Sequence, residues 1–209
     1  MTDPDRPRPL LLVVSGGPGS GKTTLAHALA GALGCPAVVR DEIKQGLVAD
    51  SGPGAAGDRE NPDLVALRAF FDVLRTLLDA GVRVVAEAAY QDRLWRPGLV
   101  PLADRARIRV VRCVVPAAVA RERIAARAAR DPHRAAHADR ALLAAVDSGA
   151  HDLDAFEPIS LDVPTFTVDT SAGPADLAAL LAFARAGGGP GGGPGGRAGL
   201  SSGLPDGPG

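Results

Sequence analysis

The run Gly16-Gly17-Pro18-Gly19-Ser20-Gly21-Lys22-Thr23 carries the spacing G-x-x-x-x-G-K-T, which is that of a phosphate-binding P-loop. Glycines let the backbone turn where a β-carbon would clash, so consecutive N–H groups can point inward around a phosphate chain at a helix N-terminus. Lys22 then reaches the terminal phosphates, and the Thr23 hydroxyl is a ligand for Mg²⁺. Thr24, next along the chain, completes the candidate nucleotide-binding set.

Three carboxylates stand just after predicted strands, where open parallel sheets bind their ligands. Glu87 ends an apolar strand, and an unpaired carboxylate there is costly unless a cation meets it. If its strand lies beside the first one, Glu87 falls next to Thr23 and could hold Mg²⁺ through water; the plainer reading is an N-cap or surface carboxylate. Asp41 follows the second strand, in position to orient an acceptor hydroxyl and take its proton; the plainer reading is an acid favouring a helix start. Asp169 is the third.

A later helix carries Arg121, Arg123, Arg127 and Arg130, and the spacing puts the last three on one face. Guanidinium groups there would neutralise charge as a lid closes, with Arg123 and Arg127 the preferred pair; the plainer reading is a solvated charged face, with Glu122 as a partner. Tyr90 and Trp95 either line an acceptor pocket or simply pack.

The elements that must position these groups can be read from apolar pattern and breakers. Leu10 to Val14 is a doubly buried strand, and the glycine loop leads into a helix ending near Gly34. A short strand covers Ala37 to Arg40, a Gly/Pro/Asp-rich loop covers Asp50 to Pro62, and a helix runs from Asp63 to Ala80. Further strands fall at Val82 to Ala86, Ile108 to Val115 and Thr165 to Val168. Between and after them come an irregular helix from Leu94 to Ala106, a helix from Pro116 to about Arg130, another from Ala138 to Val146 and a last from Pro174 to Ala186. Strands alternating with helices imply an α/β fold with a parallel sheet covered on both faces.

Residues 1–186 are expected to form one domain, and 187–209, mostly Gly and Pro, a disordered tail. A net charge of −1 gives no global basic field for nucleic acid. Cys35 and Cys113 are isolated in apolar surroundings and are expected to be reduced core residues. The amino terminus lacks a signal-peptide pattern and no run is long enough to span a membrane, so a cytoplasmic protein without a membrane partner is expected.

Taken together, GGPGSGKTTLA, VVRDEIKQGL, VVAEAAY, the arginine-rich helix and VPTFTVDTS resemble the P-loop kinases known as AAA-type ATP-binding proteins. These are related to polynucleotide kinases, chloramphenicol phosphotransferase and zeta-toxin kinases. The resemblance implies a three-layer fold with a five-stranded parallel sheet in the order 2-3-1-4-5 and a helical lid. It implies ATP and Mg²⁺ as cofactors, Asp41 as the acceptor-side base, and Arg123 and Arg127 as ATP contacts. The expected activity is transfer of the γ-phosphate to a hydroxyl of a small molecule. A polynucleotide 5′-hydroxyl is the rival acceptor. Against it stand the charge, the few aromatics and Lys44, which replaces the arginine that polynucleotide kinases carry three residues after the acid. A switch or plain NTPase is the remaining alternative; the Asn-Lys-x-Asp guanine-reading motif of a GTPase is absent from the chain.

Overall fold

The computed structural model describes residues 7–49, 60–89, 91–130 and 136–186. Five strands, β1 (Leu10–Gly16), β2 (Ala37–Val39), β3 (Val84–Glu87), β4 (Arg107–Val114) and β5 (Thr165–Asp169), form one parallel sheet in the order β2-β3-β1-β4-β5. That is the order implied by the resemblance. The helices are α1 (Lys22–Leu33), α2 (Arg40–Ala49), α3 (Pro62–Asp79), α4 (Asp92–Leu99), α5 (Ala117–Arg130), α6 (Ala136–Asp147) and α7 (Leu177–Arg185).

β1 sits at the centre because every one of its residues is buried. Alternation along it feeds two cores. Leu11 and Val13 face a cluster with Phe70, Phe71, Leu74, Trp95 and Leu99 from α3 and α4. Leu10, Leu12 and Val14 face Leu25, Leu29, Leu180 and Ala184 from α1 and α7. Helices on both faces of a parallel sheet give the three layers. The register places Val14 opposite Glu87 on one side and Gly16 opposite Cys113 on the other.

Most boundaries shift from the sequence reading by one to three residues, the irregular helix after β3 by more, since α4 covers only Asp92–Leu99, and three of the shifts have a local cause. β3 starts at Val84 rather than Val82 because the end of α3 claims the intervening residues: Gly81 N–H donates to Leu78 O and Val82 N–H to Leu77 O, both at 2.9 Å, around Gly81 at φ 77°. That pairing is a Schellman cap, and only a residue at ease in the left-handed region closes it without strain. Arg40 belongs to α2 rather than to β2, so the second strand passes into its helix with no loop. α3 starts at Pro62, with the Asn61 side chain accepting from Asp63 N–H at 2.9 Å.

Cys35 and Cys113 are free thiols, Cys113 fully buried and Cys35 half-buried. Burial pushes the Cys113 thiol up to about 12. Tyr90, most of the 50–62 loop and the 187–209 segment lie outside the described residues. Among the described residues no helix is long and apolar enough to cross a membrane.

Candidate active site

The glycine loop is shaped from below. Gly19 and Gly21 hold φ of 74° and 73°, and a β-carbon on Gly19 would stand 2.6 Å from Ala120 O at the start of α5. One on Gly16 would stand 2.6 Å from Cys113 O. These glycines therefore permit close approach of the loop to β4 and α5, in addition to the turn itself. Gly17, by contrast, has room for a side chain, with its nearest neighbour at 3.9 Å. Pro18 and Ser20 complete the turn; Ser20 is buried, and its N–H donates to Gly17 O at 3.3 Å.

At the end of the loop, α1 opens with Lys22, Thr23 and Thr24. The Thr23 hydroxyl donates to Glu87 Oε2 at 2.9 Å, and Lys22 Nζ lies 3.9 Å from Glu87 Oε1. Pairing of β1 with β3 puts these groups together. Glu87 is only 2% exposed, and its carboxyl pKa is raised, first by burial and further by Asp41 and Glu42; Lys22 and Thr23 pull the other way. A buried carboxylate short of positive charge, one hydroxyl away from a glycine loop, is a hard-oxygen donor set suited to Mg²⁺. Thr24 is exposed on the same turn of α1.

Asp41 lies in the first turn of α2, two-thirds exposed, accepting from Arg40 Nη1 at 3.0 Å. Its charge raises the pKa of Glu87 and also helps raise that of Arg127. Asp41 thus sits within electrostatic reach of both the buried acid and the arginine helix. Acids in this first turn also suit the helix dipole, so both readings of Asp41 fit the geometry. Glu42 beside it meets His27 of α1 at 2.9 Å.

The arginine helix departs most from expectation. Arg123 reaches the loop's underside: Nη1 donates to Gly19 O at 3.4 Å and to the Thr170 hydroxyl at 3.3 Å, and Nη2 to Thr170 O at 2.5 Å. Arg127 makes a two-pronged pair with Asp139 of α6, Nε to Oδ2 at 2.6 Å and Nη2 to Oδ1 at 2.5 Å. Arg121 gives both Nε and Nη2 to a single oxygen of Asp147, Oδ1, at 3.1 and 2.8 Å. The partners of these arginines are thus on α6 rather than at Glu122. Physically, a carboxylate offering two coplanar oxygens outcompetes solvent for a guanidinium fork.

Thr170 was not singled out by the sequence. It is buried just beyond β5, and its hydroxyl donates to Ser20 O at 2.8 Å, pinning the glycine loop to the far strand. Its signal was a small polar residue directly after a strand. The neighbouring Asp169 obscured it, and that carboxylate is exposed and only closes a local turn with Ser171 N–H at 2.7 Å. Lys44 is likewise committed, donating to Asp63 at 2.9 Å, and Arg40 bonds the same carboxylate. Trp95 belongs to the core, edge-on to Phe70 at 5.4 Å, which decides its packing reading over a pocket wall.

Comparison with known proteins bears on the fold and the family. An adenylyl-sulfate kinase of Geotalea uraniireducens (strain Rf4) is 39% identical over 84 residues, a stretch covering 38% of this chain and 38% of that relative. The chain thus matches well under half the length of the curated relatives it resembles. Among solved structures, a kinase candidate from Chloroflexus aurantiacus is 24% identical with a TM-score of 0.64, covering 86% of this chain and 95% of that one. A gluconokinase from Sinorhizobium meliloti is 24% identical with a TM-score of 0.51, covering 86% and 91%. Both share the fold. The AAA domain family model matches residues 11–150, a span that holds the glycine loop, Asp41, Glu87 and the arginine helix, and the chain therefore belongs to that P-loop family.

Proposed function

We propose that this chain is an ATP-dependent kinase that transfers the γ-phosphate of ATP to a hydroxyl of a small molecule. The observation that carries the reading is the Lys22–Glu87–Thr23 cluster at the mouth of a glycine loop, with the Asp41 carboxylate within electrostatic reach of it. Kinase names among relatives and fold neighbours support it.

Bound Mg²⁺·ATP supplies the phosphoryl group and part of the charge compensation. The loop N–H groups between Gly16 and Thr24, Pro18 having none, cradle the phosphates, and Lys22 neutralises the terminal ones. Thr23 and Glu87 are the residues that would hold the metal, Glu87 through water. Asp41 orients the acceptor hydroxyl and takes its proton. Arg123 braces the loop through Gly19 O, so its part in nucleotide binding is positional as much as electrostatic. Arg127 reaches the phosphates only when it leaves Asp139.

The acceptor is better read as a small molecule than as a polynucleotide. Arg40 and Lys44, the cations beside Asp41, already share Asp63, and Arg40 pairs with Asp41 as well, which leaves less free positive charge for a phosphate backbone. Labelled ATP with Mg²⁺, offered a panel of hydroxyl metabolites and oligonucleotides, should deposit its γ-phosphate on a small molecule. In Asp41→Asn the rate should fall about 100- to 10,000-fold. Release to water alone, undiminished in that variant, would overturn the kinase reading.

A further inference from the structure

The opposite end of the sheet from the glycine loop holds a second concavity, and its chemistry is unlike that of the first. A groove of about 470 Å³ opens where β1 and β4 begin and where α1, α3 and α7 end. Four arginines line it, Arg8, Arg83, Arg107 and Arg185, over an apolar floor that includes Leu10 and Leu33. None of the described residues lining the groove is an acid.

Two of the four are held by backbone carbonyls rather than carboxylates. Arg8 Nη1 donates to Ala103 O at 3.1 Å and Arg107 Nη1 to Ala186 O at 2.6 Å. Arg109, on the flank, gives Nη2 to the same Ala186 carbonyl at 2.7 Å. These bonds orient the guanidinium groups without neutralising them. Arg83 and Arg185 are exposed, and no carboxylate pairs with either among the described residues.

Part of this charge serves the helix ends. Three helices finish here, and each C-terminus carries roughly half a negative charge, about one and a half in total. Four full positive charges exceed that by more than two. Like charges around one concavity repel, and the guanidinium fork matches phosphate oxygens two at a time. The size is that of a small-molecule site rather than of a polymer track.

We propose that this groove is a second anion site, taking a small molecule that carries a chain of phosphates, separate from the nucleotide site of the glycine loop. Occupancy would compensate Arg83 and Arg185, which are exposed at the groove, while Arg8 and Arg107 stay fixed by their carbonyls.

Inorganic tripolyphosphate is the probe, titrated calorimetrically at low salt without Mg²⁺ into the full chain carrying Lys22→Ala, which weakens the glycine loop as a competitor. Saturable one-to-one binding is expected, weakened at least about tenfold when Arg83→Gln and Arg185→Gln are added. The Arg83→Lys, Arg185→Lys pair, which keeps charge but loses the fork, should fall between. With Lys22 intact, the Gln pair should leave the ATP-dependent activity and the thermal midpoint unchanged. Absence of saturable binding, binding indifferent to the Gln pair, or an activity lost with the pair would overturn the proposal. Tighter binding of a single-stranded oligonucleotide than of tripolyphosphate, lost in the same pair, would overturn it in favour of a nucleic-acid surface.

Discussion

Glu87 shows how a single residue can cost the fold and serve the site. Its raised pKa means that the folded protein holds the proton more tightly than the unfolded chain does. By linkage, the fold favours the neutral form more than the unfolded chain does. Its contribution is full below the ordinary carboxylate pKa and is lost as pH rises through the higher folded value. The nucleotide-free protein should therefore lose stability as pH climbs from the acid range toward neutrality, and Glu87→Gln should flatten that slope in thermal melts. A gain of about 1 kcal/mol at neutral pH would appear as about 2–4 °C in the midpoint. The same variant should lose about 10- to 100-fold in turnover and require more Mg²⁺ for what remains. A more stable but less active Glu87→Gln protein is the signature of a carboxylate kept for its ligand. Asp41 is the contrasting case: exposed and paired with its neighbour Arg40, it costs the fold little, so its substitution should read out in rate alone.

At the scale of elements, the glycine loop is suspended from three supports, namely the α5 backbone at Ala120, the Arg123 side chain and the Thr170 hydroxyl. Gly19→Ala meets both a left-handed φ and a backbone contact, so it should destabilise the protein by about 1–3 kcal/mol in denaturant unfolding and weaken ATP binding with it. Gly17→Ala, whose β-carbon would meet only ordinary van der Waals contacts at 3.9 Å and beyond, should leave stability nearly untouched. The α5–α6 pair is closed on itself by Arg121–Asp147 and Arg127–Asp139. Asp139→Asn removes the charge from the latch and frees Arg127. If Arg127 is the mobile ATP contact, that variant should bind ATP at least as tightly as the parent while melting earlier. An affinity loss equal to that of Arg127→Ala would instead make the pair purely structural.

For the whole molecule, what was legible in the sequence was whatever local chemistry enforces. The glycine loop needs its residue types wherever it occurs, and β1 reads as central because nothing polar interrupts Leu10 to Val14. The strand order followed from the resemblance, and the neighbour relation between β1 and β3 that it implied is what brings Glu87 to Thr23. Illegible were the pairings set by distant parts of the chain. Nothing in the spacing of Arg121, Arg123 and Arg127 says that two of them face α6 and one faces the loop, because that depends on how α6 returns. Trp95 was ambiguous for the same reason, since its partners Phe70 and Phe71 lie on α3. Trp95→Ala should therefore cost about 3–5 kcal/mol of unfolding free energy, a core defect rather than a change in acceptor preference.

The central place of β1 also sets an order of events during folding. Its partner strands, β3 from Val84 and β4 from Arg107, both lie far downstream of it in the chain. Loop-closure entropy must be met on both sides before the sheet's middle exists, which makes such a topology slow to fold. A nascent chain that has not yet reached β4 carries a complete glycine motif and no scaffold beneath Gly16 and Gly19 to hold it in shape. Nucleotide should accordingly act late, consolidating an almost finished domain rather than nucleating it.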